Sequence, residues 1–161
     1  MKTYLIVLAF CLLGFVSGCT GVKARYAYNV ETDFTSFRTY AWVPGVQEKF
    51  GNPMVANHYV KAMDSQLASK GFKLDTENPD FLIRTHQAKK FREIFITLYG
   101  EKEFQGGKIA MDFVNAESNE LIWEGVAEAY LSDVSNPTKV KKSVYQVVED
   151  LLKGFPPAVK N

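Results

Sequence analysis

The chain has 161 residues, 47% hydrophobic and 23% charged, which excludes a disordered chain and allows one domain with a real core but not two. Nineteen Lys and Arg against eighteen Asp and Glu give a formal net charge of +1, without the basic excess of a dedicated nucleic-acid binder. Two cysteines and two histidines leave little material for a metal site or a disulfide framework.

At the N-terminus, Lys2 precedes an uncharged apolar run from Tyr4 to Val16. Spanning a bilayer takes about twenty such residues, and this run is shorter. It predicts the apolar region of a secretory signal in preference to a buried core helix. Ser17 and Gly18 then lead into Cys19, and Val16-Ser17-Gly18-Cys19 resembles the bacterial lipobox, in which the signal is cut off before the cysteine. The resemblance implies a diacylglyceryl group on the Cys19 sulfur and, in many bacteria, a further acyl chain on its amine. The alternative is ordinary secretion with Cys19 as a free thiol. Two or more acyl chains anchor a protein stably where one is marginal, so the membrane, reached through lipid on Cys19, is the first expected partner. An Asp after the cysteine would resemble an inner-membrane retention signal. Thr20 stands there instead, so the expected location is the outer membrane, with the domain facing the periplasm. Loss of residues 1–18 removes Lys2 and Cys11, which leaves a neutral chain with no cysteine for a disulfide.

The rest divides into a lipidated tether over 19–24, one domain over 25–157 and a tail over 158–161. Arg25 to Glu31 alternates, with Tyr26, Tyr28 and Val30 on one face, and predicts a strand. Asp33 to Ser36 has turn character. Thr39 to Val43 is strand-like, with Tyr40 and Trp42 on one side, and ends at Pro44-Gly45. Asn52-Pro53 is a helix start, Asn as N-cap and Pro at the first helical position. Val55, Tyr59, Met63 and Leu67, with Val60 beside them, form its apolar stripe, and Gly71 is the expected left-handed end. Strands are expected from Phe81 to about Lys89, over Glu93–Tyr99, over Lys108–Phe113 and over Leu121–Leu131, with Gly100–Gly107 as a loop and Gly106-Gly107 as a hairpin turn. Asn136-Pro137 repeats the helix-start device. Val140, Val144, Val147, Val148, Leu151 and Leu152 form the second stripe, ended by Gly154 and Pro156-Pro157. Strands arranged largely in hairpins and two amphipathic helices predict an α+β two-layer sandwich, a mainly antiparallel sheet with both helices on one face.

The other face of such a sheet meets water or a partner. Parity places Arg84 and His86, Lys108 and Asp112, and Glu124 and Glu128 there. Of these, Arg84, His86, Asp112 and Glu124 are the candidate partner or ligand surface. A solvated face of mixed charge is the blander reading and the favoured one. Like-charge repulsion disfavours a register that opposes Asp112 to Glu124, so the strands are expected to be shifted by two residues, with Asp112 opposite Ile122.

No constellation of catalytic type stands out. Nothing pins two of Asp112, Glu124 and Glu128 at a separation suited to acid–base work. Position 62, one turn after His58, is Ala, and no ligand flanks His86 at zinc-like spacing, so no metal is expected. No nucleophile elbow and no phosphate loop is present, and no cofactor is expected. Lys89, Lys90 and Arg92, interleaved with Phe91 and Phe95, form the densest basic cluster. It reads first as a charged strand end that discourages edge pairing, and second as a lipid-headgroup contact. Lys139, Lys141 and Lys142 lie in the first turns of the last helix, where the dipole disfavours positive charge.

The run Asp33-Phe34-Thr35-Ser36-Phe37-Arg38-Thr39-Tyr40-Ala41-Trp42 is similar to a family of bacterial lipoproteins, domain-of-unknown-function family 4136. The resemblance continues in order through Leu67-Ala68-Ser69-Lys70-Gly71-Phe72, Pro79-Asp80-Phe81-Leu82-Ile83, Gly107 to Asp112, Leu121-Ile122-Trp123-Glu124-Gly125 and Phe155-Pro156-Pro157. Asn115 stands where the family is expected to carry an acidic residue. The resemblance implies an envelope lipoprotein with an α/β sandwich and supplies no catalytic residues. The expectation is therefore a non-catalytic envelope domain with a protein or polymer partner. A lipid-anchored hydrolase using a polar site on the sheet, or a carrier with an apolar cavity between sheet and helices, are the alternatives.

Overall fold

Among the described residues nine elements follow one another: β1 (Lys23–Tyr28), β2 (Thr39–Trp42), a short 3-10 turn (Gln47–Lys49), α1 (Pro53–Ser69), β3 (Lys73–Leu74), β4 (Phe81–Gln87), β5 (Gln105–Asn115), β6 (Leu121–Leu131) and α2 (Pro137–Leu152). The computed structural model describes residues 23–50, 52–87, 105–131 and 136–158. The expectations for residues 1–18, Cys19, the strand over Glu93–Tyr99, the Lys89-Lys90-Arg92 cluster and most of the tail lie outside these residues.

The six strands form one sheet in the order β1-β6-β5-β4-β2-β3. β4, β5, β6 and β1 pair antiparallel, whereas β2 runs parallel to both β4 and β3. The fold is α+β with a mostly antiparallel sheet, as expected. The parallel pairing corrects the hairpin reading: β1 and β2 are separated by three strands, and α1 is the crossover that parallel neighbours require.

Both helices begin as the sequence implies. Asn52 Oδ1 accepts from the amides of Met54 and Val55, and Asn136 Oδ1 from those of Thr138 and Lys139. Gly71 ends α1 at φ 90°. Gly154 follows α2 as expected, but without the positive φ that Gly71 has. It is small for another reason: a Cβ there would sit 2.1 Å from the Tyr26 ring.

Tyr59, Met63 and Leu67 of α1 and all six stripe residues of α2 are buried on one face of the sheet. They meet Phe81, Ile83, Met111, Phe113 and Trp123 there. Phe155, just past α2, is the centre of an aromatic cluster. Its ring lies 4.5 Å from Phe113, 5.4 Å from Phe72, 5.6 Å from Trp123, 5.7 Å from Phe81 and 6.0 Å from Phe34.

Three further boundaries differ from expectation. β1 begins at Lys23 because β6 is long enough to give Lys23 and Ala24 ladder partners, Glu128 and Ala127. Gly106 and Gly107 are not a turn: they pair with Tyr130 and Ala129 inside β5. A β-bulge falls between Phe113 and Val114, so Ile122 is the extra residue of β6. Ile122 is thereby turned into the core at 3% exposure, and Leu121 is left 49% exposed, the reverse of what strict alternation assigns.

Candidate functional site

The face of the sheet away from the helices is organised in cross-strand rows. One row is apolar: Ala41, Leu82, Val114 and Leu121. The next is charged and places Arg84 opposite Asp112, Asp112 opposite Glu124, and Glu124 opposite Ala27. Beyond it His86 pairs with Ala110 and Ala110 with Val126, and beyond that Lys108 pairs with Glu128 and Glu128 with Lys23. Three of the four surface residues expected to act together, Arg84, Asp112 and Glu124, thus share one row. His86 stands on its neighbour.

Asp112 directly faces Glu124, and the two-residue shift is refuted. The packing of the helix-covered face decides it. In the observed register Met111 opposes Gly125 and Phe113 opposes Trp123, whose rings approach to 4.9 Å. Gly125 leaves the space that the indole fills: a Cβ there would lie 2.2 Å from a Trp123 ring atom and 2.9 Å from Leu151 Cδ1. Like charges opposed across strands cost only about 0.2–1 kcal/mol. Misplacing a buried indole costs several times more, by analogy with truncating it at about 3–5 kcal/mol. Arg84, opposite Asp112 on the other side, also brings a cation beside the carboxylates.

The charged groups of this face are tied to their neighbours. Arg84 Nη2 donates to Asn119 Oδ1 at 2.6 Å, across the β5–β6 turn. Asn119 adopts φ 58°, a conformation that Asn tolerates better than most residues. Asn115, standing where an acidic residue was expected, holds the same turn. Its Oδ1 accepts from the amides of Glu117 and Ser118 at 2.9 Å each, the role a carboxylate would otherwise play. Arg25 lies 3.9 Å from Glu128. Among the described residues no group of three His, Cys, Asp or Glu side chains is placed to hold a metal ion.

Two carboxylates that the sequence reading passed over organise the other end of the sheet and its edge. Asp64, on α1, accepts from Tyr40 Oη at 2.8 Å and Trp42 Nε1 at 2.9 Å, which fastens β2 to the helix. Burial first, and the Asp64 carboxylate second, push the Tyr40 hydroxyl well above its ordinary pKa. Asp80, at the mouth of β4, accepts from the amides of Arg38 and Thr39 at 2.7 and 2.8 Å and from the Thr39 hydroxyl at 2.9 Å. Partial burial works against its ionisation. The amide donors of Arg38 and Thr39, the Thr39 hydroxyl and the Arg38 charge outweigh it and hold the pKa below the usual value. The only signal in the sequence was position: an Asp directly ahead of an apolar strand, in the Pro79-Asp80-Phe81 run.

The lowered pKa has a testable consequence. A carboxylate with a depressed folded-state pKa contributes stability that is complete above the unfolded pKa and is lost as pH falls through the folded one. Asp80→Ala is expected to destabilise by about 2 kcal/mol at neutral pH, the scale for hydrogen bonds to a charged group. Denaturant melts between about pH 6 and about pH 3 should show the difference from wild type shrinking as the pH falls. An unchanged difference across that range would remove Asp80 from the account.

Between sheet and helices the space is filled by Trp123, Tyr59, Phe81 and Phe113, each 0% exposed. A shallow depression of about 270 Å³ lies beside the 3-10 turn, lined by Trp42, Val43, Pro44, Val46 and Val60 with Gln47 and Glu48 at its rim. No described helix is long and apolar enough to cross a membrane.

Two solved structures share this architecture. A PDZ domain protein from Parabacteroides distasonis superposes with a TM-score of 0.61 at 14% identity, over 95% of this chain and 40% of that one. This chain therefore spans less than half of that protein. A PelC dodecamer from Paraburkholderia phytofirmans gives a TM-score of 0.52 at 7% identity, over 81% of this chain and 97% of that one. At these identities the likeness is one of fold. No curated protein matches the sequence. The family model described as Domain of unknown function (DUF4136) matches residues 23–157, the whole span from the first strand to the segment after the last helix, and the chain belongs to that family.

Proposed function

We propose that the protein is a lipid-anchored component of the cell envelope whose domain acts by binding rather than by catalysis. The observation that carries the reading is the arrangement of the N-terminus. Lys2, the uncharged run Tyr4–Val16 and the lipobox-like Val16-Ser17-Gly18-Cys19 are followed almost at once by β1 at Lys23. Acyl chains on Cys19 would hold the domain on the outer membrane, facing the periplasm.

The binding reading is supported by how the polar groups are used. Arg84 is bonded to Asn119, Asp64 to Tyr40 and Trp42, and Asp80 to the start of β2. These are fold-keeping bonds, and they commit Arg84, Asp64 and Asp80 to structure rather than to acid–base work. The Arg84-Asp112-Glu124 row, with Leu82 and the exposed Leu121 beside it, is the surface offered to an envelope protein or polymer.

Cys19→Ser tests the anchor. In cells, the wild-type chain is expected in the membrane fraction and resistant to extraction by salt, and the variant is expected to stay uncut. Normal cleavage of Cys19→Ser, with release of the mature chain into the soluble fraction, would contradict the proposal.

A further inference from the structure

The mature domain carries no net charge, yet its charges are not evenly placed. The register makes one end of the sheet unambiguous: Lys23 pairs with Glu128, and Glu128 with Lys108. β6 runs on to stop at Leu131, so α2 begins at this same end. α2 then runs toward the opposite end, where Gly154 meets Tyr26 and Phe155 reaches Phe34 and Phe81. The Lys23 end therefore holds Arg25, whose side chain is 71% exposed, and the exposed Lys139, Lys141 and Lys142 of α2. Among the described residues, Glu128 is paired with Arg25 and Glu48 lies in the 3-10 turn at this same end. The opposite end carries Glu31, Asp33, Asp75, Glu77, Glu117 and Glu120 in its turns, offset only in part by Arg38, Lys70, Lys73 and Lys153.

The three lysines work against their own helix. Lys139 lies in the first turn, where the macrodipole favours acidic residues and where α2 has none, and Lys141 and Lys142 follow in the second. Lys141 is held over the Tyr145 ring at 5.6 Å, which points to a fixed position for its charge. A basic end of this kind is complementary to an anionic surface.

The tether supplies it. Four residue steps separate Cys19 from Lys23, a reach of about 14 Å at full extension. Charges attract an anionic surface within about one Debye length, ~8 Å at physiological salt. A tether this short keeps the Lys23 end close to any membrane that holds Cys19 and leaves the acidic end pointing away. We propose that the end of the domain bearing Arg25, Lys139, Lys141 and Lys142 docks on an anionic lipid surface and sets the domain upright on it. This rests on the reading of Cys19 as lipid-anchored. It fixes which way the domain faces: the turns at Asp33, Asp75 and Glu117 are presented to partners, and the open sheet face stands along the membrane normal.

Lysine acetylation rates, read by mass spectrometry, test it on the processed chain reconstituted in two kinds of vesicle: neutral phosphatidylcholine alone, and phosphatidylcholine with phosphatidylglycerol. On the anionic vesicles, acetylation of Lys141 and Lys142 is expected to slow several-fold relative to the neutral ones and to recover at high salt, while Lys70 and Lys73 react equally on both. Equal rates at Lys141 and Lys142 on the two vesicles, or protection of Lys70 and Lys73, would overturn the orientation. The anchor is read separately. A chain that does not stay on neutral vesicles contradicts lipidation, and the ratio of Lys141 to Lys70 on anionic vesicles still decides the docking end. Lys141→Glu combined with Lys142→Glu changes two exposed side chains, so the fold should survive. Protection of Lys139 is expected to fall in that variant, and unchanged protection would contradict the proposal.

Discussion

Replacing Phe155 with Ala is expected to cost about 4 kcal/mol, within the range for removing a buried phenyl ring. Phe155 is 1% exposed and its ring touches five others, contributed by the β1–β2 loop, the segment after α1, β4, β5 and β6. The cavity left behind would be lined by rings that cannot turn into it without leaving their other partners. Those rings join the segment after α2 to the sheet, so the loss is also expected to loosen Gly154 from Tyr26. For a domain of this size, total stability is on the order of 5–15 kcal/mol, so a substantial part of it would disappear. Urea denaturation followed by Trp fluorescence measures the change. A loss below about 1 kcal/mol would mean that the cluster is not the centre of the fold.

Gly125→Ala is expected to cost about 3 kcal/mol, at the upper end of what added volume does in a packed core. The added methyl would occupy space now taken by the Trp123 indole, 2.2 Å from its nearest atom, with Leu151 on the other side. The indole has nowhere to retreat, since Phe113 and Phe155 flank it at 4.9 and 5.6 Å. The effect should depend on the indole. In a Trp123→Ala background the same methyl should cost only about 1 kcal/mol, since Leu151 alone still crowds it, so a double-mutant cycle is expected to show coupling of roughly 2 kcal/mol. Additive effects would show that Gly125 is required for some reason other than the ring.

These two positions also show what was legible in the sequence. Trp123 stands two positions from Gly125, a residue without a side chain, and the structure gives that spacing its meaning, close packing. The repulsion between Asp112 and Glu124 does not set the register, because the indole packed beneath them outweighs it. Phe155 lay outside any periodic stripe. Its neighbours Pro156 and Pro157 read as the end of a helix, and nothing local marked it as core. Both N-caps, both helix stripes and the Tyr40–Trp42 parity were readable because each depends on residues a turn or less apart. The parallel pairing of β2, the bulge at Ile122 and the bonds of Asp64 and Asp80 depend on strands far apart in sequence, which no local pattern records. On the candidate surface, alternation placed Arg84, Asp112 and Glu124 on one face. Their meeting in a single row followed only once the register was known.

The anchor is the central claim, since the proposed location, the binding role and the orientation of the domain all depend on it. Intact-mass and peptide mass spectrometry of the chain isolated from membranes tests it most directly. The account predicts a chain that begins at Cys19 and carries the added mass of a diacylglyceryl group on sulfur, with or without a further acyl chain on the amine. A chain that begins elsewhere, or one with an unmodified Cys19, would contradict it.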